Sequence, residues 1–136
     1  MEKEYKRKWQ KLVDKLLAIG GTRVVEVYEE DLDKLLSRGE TISGKPRLVK
    51  RGMKRSRCHQ NSVYYYDDYV KRNVTLDKAQ QIQIITGWSL SDDGLWRQHT
   101  WLKLKNEIIE TTTIRESYFG FALQGQELQD FCWNNM

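Results

Sequence analysis

The sequence predicts an α+β fold, with helices packed on a small antiparallel sheet, and three observations carry that expectation. Apolar residues recur every three or four positions through much of the first half. They alternate between Ile82 and Leu104, and turn-forming residues separate the alternating runs. With 136 residues, 39% apolar content, five Trp and seven Tyr, the chain is expected to form one compact domain, 1–136, with a core of its own.

The elements follow in order. Tyr5, Trp9, Leu12, Val13, Leu16 and Leu17 fall at helical spacing, and Gly20-Gly21 supplies a stop. Thr22 to Tyr28 alternates weakly, as a short strand or an extended link would. Asp31 to Arg38 reads as a short helix capped by Asp31 and closed by Gly39. Glu40 to Arg57 holds the single Pro and two Gly and is expected to be mainly loop. From about Ser56 to Lys71 helical spacing returns through Val63, Tyr66 and Val70. Gln81 to Leu90 alternates, Asp92-Asp93-Gly94 makes a turn, and Leu95 to Leu104 alternates again, which predicts a hairpin. A second reversal at Lys105-Asn106 leads to a third strand over Glu107 to Thr113. Phe119-Gly120-Phe121 suggests a packed crossing, and Gln124 to Trp133 a closing helix with Leu128, Phe131 and Cys132 inward.

Composition excludes some classes. No apolar run approaches the roughly 18 to 20 residues of a membrane span, and the charged start lacks an apolar signal core, so a cytoplasmic protein is expected. Cys58 and Cys132 alone make no disulfide framework and read as free thiols. The net charge of +4 is uneven, with Lys45, Arg47, Lys50, Arg51, Lys54, Arg55 and Arg57 crowding an acid-free stretch. Such a cluster suits nucleic acid or an acidic partner, equally a solvated loop, and cations just before Cys58 also favour its thiolate. The adjacent Tyr64-Tyr65-Tyr66 invites base stacking, but consecutive helical residues point three ways, so a mixture of core and surface is expected.

The residues best suited to chemistry are Cys58, His99 and Glu110. A thiol at a helix start meets unpaired amides and the positive end of the helix dipole, an imidazole can take its proton, and a carboxylate can orient the ring. Register tests the grouping. With Lys105-Asn106 as a two-residue turn, Leu104 pairs with Glu107 and Trp101 with Glu110, so Glu110 lies diagonally across from His99 on one face. An odd-length loop would put it on the other. Trp101 shares that face and could wall a substrate cleft. His59, adjacent to Cys58, is expected to point about 100° away and miss the sulfur. The spacings of Cys58, His59, His99 and Cys132 fit no zinc knuckle, so neither metal nor cofactor is expected.

A Cys at a helix start, then His-x-Trp on one strand (His99-Thr100-Trp101) and acid-x-Thr on the next (Glu110-Thr111-Thr112), resembles the core of the transglutaminase-like and wider papain-like cysteine enzymes. The resemblance covers roughly residues 56–113. It implies a helix on an antiparallel sheet and thiolate attack on an amide or ester carbonyl of a protein or peptide-like substrate, ending in hydrolysis, deamidation or acyl transfer to an amine. The chain departs from the pattern at His59, where an aromatic residue is usual, and at Glu110, where Asp or Asn is. The oxyanion would face the Cys58 amide, with Gln60 and Asn61 as nearby side-chain donors. Set against this enzyme are a basic binding module using Lys50, Arg51, Lys54, Arg55 and Arg57, and an inactive version of the same fold acting through protein contacts.

Overall fold

A computed structural model describes residues 2–49, 57–72 and 81–136 of the chain. The elements are α1 (Glu2–Ile19), β1 (Arg23–Val24), α2 (Leu32–Arg38), β2 (Glu40–Thr41), β3 (Lys45–Leu48), α3 (Cys58–Arg72), β4 (Ile82–Leu90), β5 (Leu95–Leu104), β6 (Glu107–Glu110), β7 (Ser117–Ala122) and α4 (Gly125–Asn134). The class is α+β, as expected. The strands hydrogen-bond in the order β2-β7-β4-β5-β6-β3, with β1 also pairing β5. The sheet is mixed, not antiparallel: β1 runs parallel to β5, and β3 parallel to β6. No helix among the described residues is long and apolar enough to cross a membrane.

The contacts divide the chain into two compact units: 1–42 with 87–98 and 115–121, and 43–86 with 99–114 and 122–136. In the first, α1 buries Leu12 and Leu16 and ends at Gly20-Gly21, where Gly21 has φ +78°, a left-handed conformation that a Cβ would strain. Trp88 and Trp96 are fully buried. Their indole N–H groups donate to Glu29 Oε1 and to the Gly20 carbonyl, each at 2.9 Å, so neither large ring leaves a polar atom stranded in the core. Asp31 holds the N-cap position of α2 without the expected side-chain bond to the helix. Its backbone amide donates instead to Glu29 Oε2 at 3.0 Å, so the local turn is built around Glu29.

The second unit carries β3, α3, β6, α4 and the parts of β4 and β5 nearest them. The segment expected to be loop contains β3, whose residues Lys45 to Leu48 pair with Glu107 to Glu110. Pro46 is tolerated there because, among the described residues, β3 ends the strand order and pairs on one side only. The turn after β5 has two residues, Lys105 at φ +55° and Asn106, and Leu104 pairs with Glu107 and Leu102 with Ile109. That is the even register. α4 opens with a capping box between Gln124 and Glu127. Its expected inward residues Leu128, Phe131 and Cys132 are only half-buried, because Leu128 and Cys132 border a cavity of about 350 Å³ with Val63, Tyr66 and Asp67 of α3.

Candidate active site

Strand alternation and the two-residue turn bring His99, Trp101 and Glu110 to one face. His99 Nε2 lies 2.7 Å from Glu110 Oε1, with the imidazole 3% and the carboxylate 0% exposed. The same carboxylate oxygen accepts a bond from the Thr112 hydroxyl at 3.2 Å. A buried carboxylate would be costly alone, and these donors offset its lost hydration. β3 holds the backbone behind it, since the Val49 amide donates to the Glu110 carbonyl at 2.8 Å.

Cys58 is the first residue of α3 and half-buried. The helix is tied to β5 next to His99, where the buried Ser62 hydroxyl donates to the Thr100 carbonyl at 3.5 Å, while Thr86 and Thr100 share a hydroxyl contact at 3.1 Å. The imidazoles of both His59 and His99 act on the Cys58 thiol and favour the thiolate. Because Nε2 of His99 faces Glu110, Nδ1 is the ring nitrogen left for sulfur. Burial pushes the thiol up, but the two imidazoles outweigh it and bring Cys58 from 9.0 down to about 6. Burial likewise opposes charge on His99, and its bonds to Cys58 and Glu110 overcome that, holding it above the usual 6.5. At neutral pH the arrangement therefore favours a thiolate beside an imidazolium backed by a carboxylate. Such a group can attack a carbonyl carbon and return a proton to a leaving group. Cys132 is the contrast: desolvation and the nearby Asp67 push its thiol up.

His59, expected to point away from the sulfur, still acts on the thiol, lowering it together with His99. The His59 ring is in turn stacked on Phe131 of α4, with centroids 5.4 Å apart and planes at 28°. Trp101 also needs correcting. It is fully buried and stacks on His99 at 5.7 Å, so it supports the imidazole and offers no wall to a cleft.

Gln60 lies on the outer side of α3, accepting from Arg57 at 3.2 Å and donating to the Tyr64 hydroxyl at 3.2 Å. Asn61 is 3% exposed and sits one turn after Cys58, with its amide bonded to the Arg57 carbonyl. Of the two expected donors, Asn61 alone shares the buried side of the helix start. Lys50, Arg51, Lys54 and Arg55 lie outside the described residues. Arg47 is engaged by Glu107 at 3.0 Å and by the Tyr65 hydroxyl at 3.4 Å, an acid supplied from β6 and invisible in the local sequence. The three tyrosines do point apart: Tyr64 is exposed, Tyr65 meets Arg47, and Tyr66 lines the cavity. That cavity has none of Cys58, His99 or Glu110 among its lining residues.

Thr112 and Phe131 are the contributors that sequence reasoning did not assign. Thr112 was detectable, because it falls two positions after Glu110. Phe131 carried no signal, since its stack with His59 joins two distant helices. The chain matches no protein-family model, no curated protein and no solved structure.

Proposed function

We propose that this chain is a small cysteine-dependent hydrolase or acyltransferase that uses Cys58, His99 and Glu110 on an amide or ester carbonyl of a protein or peptide-like substrate. The observation that carries the reading is the 2.7 Å contact between buried His99 and Glu110, and it is supported by the same imidazole's lowering of the Cys58 thiol. The Cys58 thiolate attacks the carbonyl carbon, and the oxyanion forms at the amide-rich start of α3. As the carbon–nitrogen bond breaks, the His99 imidazolium gives its proton to the leaving amine, and a thioester remains on Cys58. Water or an amine then attacks the thioester while His99 accepts its proton, the carbon–sulfur bond breaks, and the thiolate returns beside the imidazolium. Glu110 holds the ring in one tautomer and favours its charged form. The papain-like likeness and a cytoplasmic setting belong to this same proposal.

Incubation with p-nitrophenyl acetate and with a panel of peptide amides, read by intact-protein mass, tests the reading. An acyl adduct on Cys58, absent in Cys58→Ser and strongly reduced in His99→Ala, is the expected result. Failure of every ester and amide to acylate Cys58 overturns it.

A further inference from the structure

Glu2, Tyr5, Lys6 and Trp9 of α1 fall at helical spacing and share one face of the helix. With the extended segment Glu26-Val27-Tyr28 they line a depression of about 320 Å³. Its walls are held from outside it. The Tyr5 hydroxyl accepts from the Glu29 amide at 2.9 Å, and the Tyr28 carbonyl accepts from Gln98 Nε2 at 3.0 Å. Trp9 rests on buried Trp88 with ring centroids 5.5 Å apart. Tyr28 stacks on Tyr5 at 5.2 Å with planes at 15°, yet stays 74% exposed. The core gains little from a ring left so far in water, so its fixed position marks a surface available to a ligand.

The charge of this face points to the ligand. Glu2 is met by Lys6 at 3.5 Å, whereas Glu26 has no ion-pair or hydrogen-bond partner among the described residues. A second depression of about 210 Å³, also lined by Tyr5 and Tyr28, adds Glu4, Glu30 and Asp33 against Lys8 alone. The face is therefore acidic on a chain whose net charge is +4. Electron-rich rings beside a free carboxylate select a cation, and the kind follows from the parts present. A bare ammonium is strongly hydrated, and a quaternary ammonium has no N–H for a carboxylate. A guanidinium sheds water readily, stacks on aromatic faces and donates to carboxylates, while Val27 offers apolar surface to the methylenes behind it.

We propose that this depression is a binding site for the arginine side chain of a peptide, with the guanidinium against the aromatic rings and its N–H groups toward Glu26. Peptide-borne arginine is favoured over the free amino acid, whose own carboxylate would be repelled by Glu2 and Glu26. The site uses none of Cys58, His99 or Glu110, so it stands or falls apart from the thioester chemistry.

The test is an NMR titration of the isotope-labelled chain with acetyl-Gly-Arg-Gly-amide and with versions carrying Lys or Gln in place of Arg. Saturable shifts are expected at the Trp9 indole N–H and at the Val27 and Tyr28 amides. The arginine peptide should bind at least about fivefold tighter than the lysine peptide, and the glutamine peptide should not saturate. Tyr28 and Glu26 are exposed, so replacing them leaves the core intact. Tyr28→Ala and Glu26→Gln should each weaken the arginine peptide about threefold, and together about tenfold, while Tyr28→Phe keeps its affinity. No saturable shift, equal affinity for the three peptides, shifts that map away from Tyr5, Trp9 and Tyr28, or unchanged affinity in the double variant overturns the proposal. So does tetramethylammonium binding as tightly as the arginine peptide, because the carboxylate is then unused. Free arginine matching the peptide overturns it too, since the site would then serve the amino acid.

Discussion

Replacing Glu110 with Gln keeps the size of the side chain and an oxygen able to face His99, but removes the charge. Glu110 Oε1 accepts from His99 Nε2 at 2.7 Å and from Thr112 at 3.2 Å with no exposure to water, so the lost charge is not replaced by solvent. A hydrogen bond to a charged acceptor contributes roughly 1 to 1.5 kcal/mol more than one to a neutral acceptor. That difference is felt only when His99 is charged, and hence by the thiolate–imidazolium form. At about 1.4 kcal/mol per decade, the Cys58 midpoint should move from about 6 to about 7. The assay is the rate of iodoacetamide labelling of Cys58 between pH 5 and 9, read by peptide mass. At pH 6 the thiolate fraction falls from about one half to about one tenth, so labelling should slow about fivefold, and the difference should vanish by pH 9. A Glu110→Gln midpoint that coincides with wild type would show that the carboxylate does not support the thiolate through His99.

Four further outcomes are expected. His99→Ala removes the imidazole facing Glu110, so labelling of Cys58 at pH 6 should fall by about tenfold or more, tracked by the same mass assay. The pH profile of kcat/KM should rise through about 6 as Cys58 ionises and fall above 6.5 as His99 loses its proton, with both limbs belonging to the coupled pair. Stability follows with definite signs. Cys58, lowered from 9.0 to about 6, binds fewer protons folded than unfolded between those values. Its contribution is therefore full above 9.0 and lost as pH falls through 6, whereas that of His99 is full below 6.5 and lost as pH rises through its folded value. The melting-temperature gap between wild type and Cys58→Ala should accordingly narrow from pH 8 to pH 6. Trp101→Ala empties a fully buried site and should cost ~3 to 5 kcal/mol, seen as a clear drop in melting temperature, with Cys58 labelling reduced in whatever fraction stays folded.

The part of the site set by strand alternation was legible from residues alone. Lys105-Asn106 as a two-residue turn fixes Leu104 opposite Glu107, and that register puts His99 and Glu110 on one face. Helical spacing around Val63 and Tyr66 likewise placed Cys58 at the start of α3. What escaped was the non-local pairing and the side-chain torsions. β3 has no periodicity of its own and becomes a strand because β6 offers a parallel edge, which then anchors Glu110 from behind. The face shared by His99 and Trp101 was visible, but whether that face was covered was not, so Trp101 was expected at a cleft and is a core residue. For His59 the direction of its Cβ says nothing of the stack with Phe131, which joins two helices distant in the chain. The basic stretch was read as free of acids, yet Glu107 from a neighbouring strand engages Arg47.

The reactivity of the two cysteines, compared in one tube, bears most directly on whether Cys58 is an activated nucleophile. Cys58 ionises near 6, and Cys132 sits above 9.0. At pH 5 the thiolate fractions then differ by about a thousandfold, and the lower intrinsic nucleophilicity of the more acidic thiolate reduces the advantage to about thirtyfold or more. Competitive iodoacetamide labelling at pH 5, resolved by peptide mass, should show that preference for Cys58 and should lose most of it in His99→Ala. Comparable labelling of Cys58 and Cys132 in the folded wild-type protein would mean that the imidazole and carboxylate assembled around Cys58 do not activate it.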